Sequence, residues 1–141
     1  MQNPQQIEAK VEVRHRIILM IWFSLLMSIS IFFVMTIMIP GKAAEPNTPL
    51  SFALIGLAFT VVVASVLIKQ RVIQRAIEKR DAAMVQTGYI LSFALCESAA
   101  LCGVLDHFVS GSSYYYFSFA LAVLGMLLHF PKKDHVRAAI A

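Results

Sequence analysis

Charge is scarce in this chain: only 14% of its 141 residues are Asp, Glu, Lys or Arg, against 59% hydrophobic, and the mean hydropathy is +0.74. Such a composition excludes a soluble globular domain, and the length leaves room for one compact unit. Glycine patterns of the Rossmann or Walker kind are missing, as is any zinc-ligand spacing, so no nucleotide has a recognisable seat. No Ser, His and acid set falls within reach for hydrolysis, and an enzyme is not expected. Cysteine is limited to Cys96 and Cys102, both inside one apolar run. They stand about 240° apart around a helix and cannot bridge to each other within it, so they read as small packing residues. No internal repeat is evident.

What is present is a set of long uncharged runs. Residues 1–16 are polar, with Glu8, Lys10, Glu12, Arg14 and Arg16, and read as a solvated tail or a short surface helix. Residues 17–39 carry no charge and would rise about 35 Å as a helix, enough to cross a bilayer. That run is too long for the apolar core of a signal peptide, so it is read as a retained span. Pro40 and Gly41 stop it, and residues 40–49 form a turn-rich loop. A second span follows over 50–68, then a basic and partly helical segment over 69–85 that turns near Glu78 to Asp81. The third span covers 86–108, a tight turn 109–113, and the fourth span 114–130, ended by Pro131 before a basic tail, 131–141. The expected fold is an all-α, integral membrane four-helix bundle.

The net charge of +4 is then a record of orientation rather than of nucleic-acid binding. Eleven of the twelve Lys and Arg residues fall on the side of the two termini and the 69–85 segment, leaving Lys42 alone on the other. The excess of basic residues on the inner face predicts a multi-pass protein of the cell membrane with both termini cytoplasmic. Tyr114, Tyr115 and Tyr116 would sit at the outer interface. Lys69, Arg71, Arg75, Lys79 and Arg80 would face anionic lipid or a soluble partner.

The sharpest chemical signal is Glu97, near the middle of the third span, where no Lys or Arg lies inside any run to pair with it. Hydrocarbon favours the neutral acid over the ion. Glu97 is therefore expected to donate a hydrogen bond, meet an ion, or exchange a proton. Cys96, Ala99, Ala100, Gly103 and His107 form a stripe of mostly small residues beside it, a surface on which another helix can approach closely, in this chain or in another copy. Residues 93–105, FALCESAALCGVL, resemble the second helix of the c subunit of rotary F-type ATP synthases, an alanine-rich helix with one ion-binding carboxylate. The surrounding hairpin, about 52–108, has its basic turn on the matching side. The resemblance implies that Glu97 carries a proton or sodium ion within a homo-oligomer or larger membrane complex. The chain departs from that family in having one glycine, Gly56, in its second span, IEKRD at the turn, and two further spans.

Other readings are open at this stage. Glu97 could instead fix the packing by a hydrogen bond to Ser28, Ser30 or Thr60, in a purely structural protein or assembly factor. Asp106 and His107, roughly 14 Å up the same helix, could mark a proton mouth or an ordinary helix end. His15 and His129 could ligate haem or line a quinone site if the first and fourth spans meet. Cys102 and Asp106, at i and i+4, are two ligands and do not make a metal site. No cofactor is expected.

Overall fold

The computed structural model describes residues 4–41 and 47–140. The loop expected at 40–49 falls partly on 42–46, Lys42 included, and to that extent lies outside the described residues. Every regular element is helical among the described residues: α1 Pro4–Met38, α2 Thr48–Glu78, α3 Ala82–Leu105, a five-residue π turn Asp106–Ser110, α4 Tyr115–Leu128 and α5 Lys133–Ala138. Three of them, α1, α2 and the helix that runs on from α3 into the π turn, are long and apolar enough to cross a membrane, and α4 is a shorter apolar helix.

Local chemistry explains the ends. Asn47 caps α2, its side-chain oxygen accepting from Leu50 N at 3.2 Å, and Pro49 enters the first turn, where its missing N–H is no loss. At the other end Arg80 N donates to Ile77 O and Asp81 N to Ala76 O, with Arg80 itself at φ 52°. Asp81 then caps α3 by accepting from Ala83 N and Met84 N. The turn thus falls at 79–81, within the segment 69–85 expected to be partly helical, and the rest of that segment is the last turns of α2 and the first of α3. Gly111, at φ 63°, ends the π turn in a left-handed conformation that suits glycine.

The polar start of the chain is neither a tail nor a separate helix: α1 is continuous from Pro4. Its first turns are held by α5, which the sequence expectation left as tail. Val11 and Val136 are both buried, Glu8 pairs with Arg137 at 2.9 Å, and Glu12 with Lys133 at 3.4 Å. The ion pairs are exposed and contribute little, so the apolar contact carries the docking. The expected span 114–130 is also shortened. His129 turns inward after Leu128, its N–H shared between the Gly125 and Met126 carbonyls, and Pro131 cannot continue the helix.

The central element is α3. Its buried residues Val85, Tyr89, Phe93, Cys96, Ala100 and Gly103 recur at helical spacing, with α2 and α4 covering one side. α1 packs against another part of α3 and leaves Phe23, Met27, Ile31, Val34 and Ile37 exposed. Trp22 ties α1 to α4, donating from Nε1 to Met126 O at 2.8 Å and meeting the Phe130 ring edge-on.

Candidate functional site

Four polar layers lie along α3. In the middle, Glu97 is partly buried where α1 crosses α3, and Ser28 Oγ donates to its Oε1 at 2.7 Å. Of the three expected hydroxyl partners, Ser28 alone reaches it. Ser30 and Thr60 are exposed and turn back on their own helices, to Leu26 O and Gly56 O, as Ser98 does to Ala94 O. No cation pairs with Glu97 among the described residues; the ion pairs there are the two between α1 and the α5 segment. Ser28 also lines an open apolar groove of about 880 Å³ along α1, with Trp22, Phe23, Ser24, Met27 and Phe130.

The stripe beside Glu97 faces inward. Cys96, Ala99 and Ala100 are fully buried, and Gly103 lies so close to α4 that a Cβ there would stand 3.0 Å from the Phe119 ring. The small residues thus set how near α4 comes to α3.

Towards the Gly111 end, Asp106 is fully buried, which the reading of it as an interface residue does not anticipate. Ser51 Oγ donates to its Oδ2 at 2.8 Å, and Ser110 Oγ lies in short contact with its Oδ1. Asp106 and Ser110 lie four residues apart on one face of the turn, which lets the serine reach back to the carboxyl group. His107 is only partly buried and bonds Ile39 O through Nε2 at 2.9 Å, tying the α3 end to the end of α1. Adjacent in sequence, Asp106 and His107 therefore serve different helix pairs, and no contact joins either to Glu97. Sequence reasoning missed Ser51 and Ser110. The available signal was a carboxylate at the end of an apolar run with a serine four residues on.

Towards the opposite end, Ser65 on α2 gathers a buried group. Its hydroxyl donates to Val62 O at 2.6 Å, lies 3.8 Å from Cys96 Sγ and meets His129 Nε2 at 3.0 Å. With the serine proton on Val62 O, the shared proton with His129 sits on Nε2. Nδ1 is left a buried acceptor with no partner among the described residues. His129 is thus held by Ser65 through Nε2, and His15 lies by Glu12 and Lys133. No group of three or more His, Cys, Asp or Glu side chains with metal-binding spacing occurs among the described residues.

Beyond this layer, Tyr89 OH accepts from Lys132 N at 3.1 Å and lies 2.7 Å from His135 Nδ1. Lys69 Nζ sits 5.3 Å above the Tyr89 ring. Burial pushes the His135 imidazole below its ordinary value, and the positive Lys69 and Lys132 push the same way against Asp134. The neutral ring with Nδ1 unprotonated accepts the tyrosine proton, and protonation would reverse that bond and add a charge beside Lys69 and Lys132. A folded-state value below the unfolded one means that the unfolded chain binds the extra proton, so this contribution to stability is present above about pH 6.5 and is lost as pH falls. Amide exchange protection in α5 is accordingly expected to fall between about pH 7 and about pH 5, and His135→Gln to flatten the dependence. An unchanged pH profile in that variant would show that His135 does not control the docking.

No protein-family model matches the chain, and no curated protein or solved structure is significantly similar to it.

Proposed function

We propose that this chain is a small multi-pass protein of the cell membrane, four-spanning with both termini cytoplasmic, in which Glu97 is a protonatable mid-membrane group. Its work is proton or ion handling within a homo-oligomer or larger membrane complex. The observation that carries the reading is the setting of Glu97: a carboxyl only partly enclosed by its own chain, held by one neutral hydroxyl and by no cation. Hydrocarbon favours a neutral carboxyl over a charged one. Ser28 engages Oε1, and Oε2 is the oxygen that takes up or gives off the proton when water, an ion or a partner's base comes near. The groove that Ser28 lines is a route of approach from the membrane side.

The same hydrogen bond favours a second reading, in which Glu97 and Ser28 clasp α1 to α3 and nothing is transported. Carbodiimide labelling in native membranes separates the two, because the reagent attacks a protonated carboxyl in an apolar setting. The proposed function predicts rapid labelling of Glu97 at neutral pH, a fall at higher pH, protection by sodium or another cation, and no labelling in Glu97→Gln. Ser28→Ala should retain labelling while loosening the helix pair by about 1 kcal/mol, the scale of an interhelical hydrogen bond in membranes. Absence of labelling at every pH would sink the proton-handling reading and leave the clasp.

A further inference from the structure

Of the five basic residues in the 69–80 stretch, Arg71, Arg75, Lys79 and Arg80 are exposed, whereas Lys69 is drawn against the bundle. Its Nζ is held between the Tyr89 ring and Leu128 O, 3.4 Å away. Beside it opens a cavity of about 250 Å³, lined by Lys69, Gln70, Ile73, Gln74, Ile77 and His135, between α2 and α5. His135 is pinned through Nδ1 by Tyr89 OH, which leaves Nε2 as its free nitrogen. Lys132 adds a further positive charge felt by both Lys69 and His135. No carboxylate is bonded to Lys69 among the described residues, because Glu8 and Glu12 are taken by Arg137 and Lys133. Gln70 and Gln74 make no side-chain hydrogen bond there either, and supply unused amide donors.

Converging cations and free donors, which outweigh the nearby Asp134, make a seat for an anion with several acceptor oxygens. Its depth identifies the source. Lys69 is the first charged residue after the uncharged run 50–68, so its ammonium stands where a bilayer's phosphate layer would meet α2. Lys69 meets the α4 end at Leu128, whose side chain is 68% exposed, an apolar surface against which acyl chains would lie. We propose that the α2–α5 cavity binds the phosphate of one anionic phospholipid through Lys69, His135 and the Gln70 and Gln74 amides, its acyl chains lying along α4. This differs from a diffuse attraction of all five basic residues to the membrane surface, because it requires a particular lysine and the α5 histidine, which only the folded chain brings together.

The test is native mass spectrometry of the full chain released from phosphatidylcholine bilayers containing phosphatidylglycerol. The wild type should retain a single phosphatidylglycerol in preference to phosphatidylcholine. Lys69→Gln should lower that retention about fivefold, the factor that roughly 1 kcal/mol per interfacial cation represents, while Lys79→Gln leaves it unchanged. His135→Gln should lower it as well, and circular dichroism of each variant confirms that the helices are intact. Equal loss in the Lys69 and Lys79 variants would overturn the proposal in favour of diffuse surface charge. Equal retention of the two lipids by the wild type would overturn it outright. Displacement of the lipid by millimolar inorganic phosphate would assign the cavity to a soluble anion and overturn the lipid assignment.

Discussion

Asp106→Ala is expected to destabilise the bundle by about 3 kcal/mol, because it strands the buried Ser51 hydroxyl, takes one of two acceptors from Ser110 and leaves a void where a buried side chain stood. Asp106 is fully buried, and its two oxygens meet Ser51 from α2 and Ser110 from the π turn. Removing the side chain strands Ser51 Oγ, which has no other hydrogen-bond partner among the described residues, while Ser110 Oγ still has Asp106 O at 2.5 Å. The loss should therefore fall mainly on the α2–α3 pairing. Asp106→Asn, which keeps an acceptor oxygen and the side-chain shape, is expected to cost about 1 kcal/mol. Adding Ser51→Ala to Asp106→Ala should cost less than the two single losses together, since the second change removes a group already stranded. These values are read from reversible unfolding in mixed micelles. Additive single and double variants would mean that the two side chains are not coupled.

The second large effect is expected at Gly125, where α4 passes α2 and α3 at its closest. A Cβ at this position would stand 2.7 Å from Cys96 Sγ and 3.2 Å from Val62 Cγ1. Gly125→Leu must push the helices apart and is expected to cost about 3 kcal/mol, the upper range for overpacking a filled core. Gly125→Ala sets two effects against each other: alanine gains up to about 1 kcal/mol of helix propensity, and overpacking costs about 1 to 3 kcal/mol. The buried sulfur decides the sign, because Cys96 is fully enclosed and has no free volume to turn into. In a Cys96→Ala background the nearest atom is gone, and the same Gly125→Ala change should become neutral or stabilising. A loss of the same size in both backgrounds would show that Val62, or the helix backbone, sets the approach.

Much of the architecture could be read before the fold was known, for reasons that differ along the chain. The uncharged runs at 17–39 and 50–68, the stop at Pro40 and the turn near residues 78–81 are one-dimensional signals, and the helices carry them. The polar stretch 1–16 and the tail 131–141 were misjudged for a common reason. Each looks solvated alone, yet residues 4–16 and 133–138 are helical and meet through buried Val11 and Val136 and the pairs Glu8–Arg137 and Glu12–Lys133. No local pattern announces a contact between segments 121 residues or more apart.

The candidate site divides in the same way. That Glu97 stands alone among apolar residues, and that small side chains run beside it, follows from residue type and the period of a helix, both properties of the chain itself. Which hydroxyl meets Glu97 depends on the rotation and register of α1 against α3, and there the structure selects Ser28 over Ser30 and Thr60. The burial of Asp106 under Ser51, the engagement of His129 on Ser65 and the seating of Lys69 beside His135 are settled likewise between helices. By itself, then, the sequence determined helix type, approximate helix extent and the isolation of its one mid-run carboxylate, because hydrophobic periodicity and helix-breaking residues act over a few neighbours. Only the tertiary structure decided the partners of each polar group, because a hydrogen bond between helices needs two side chains at one height and facing one another. That condition is fixed by how closely the helices pack, as at Gly103 and Gly125, between segments distant in sequence.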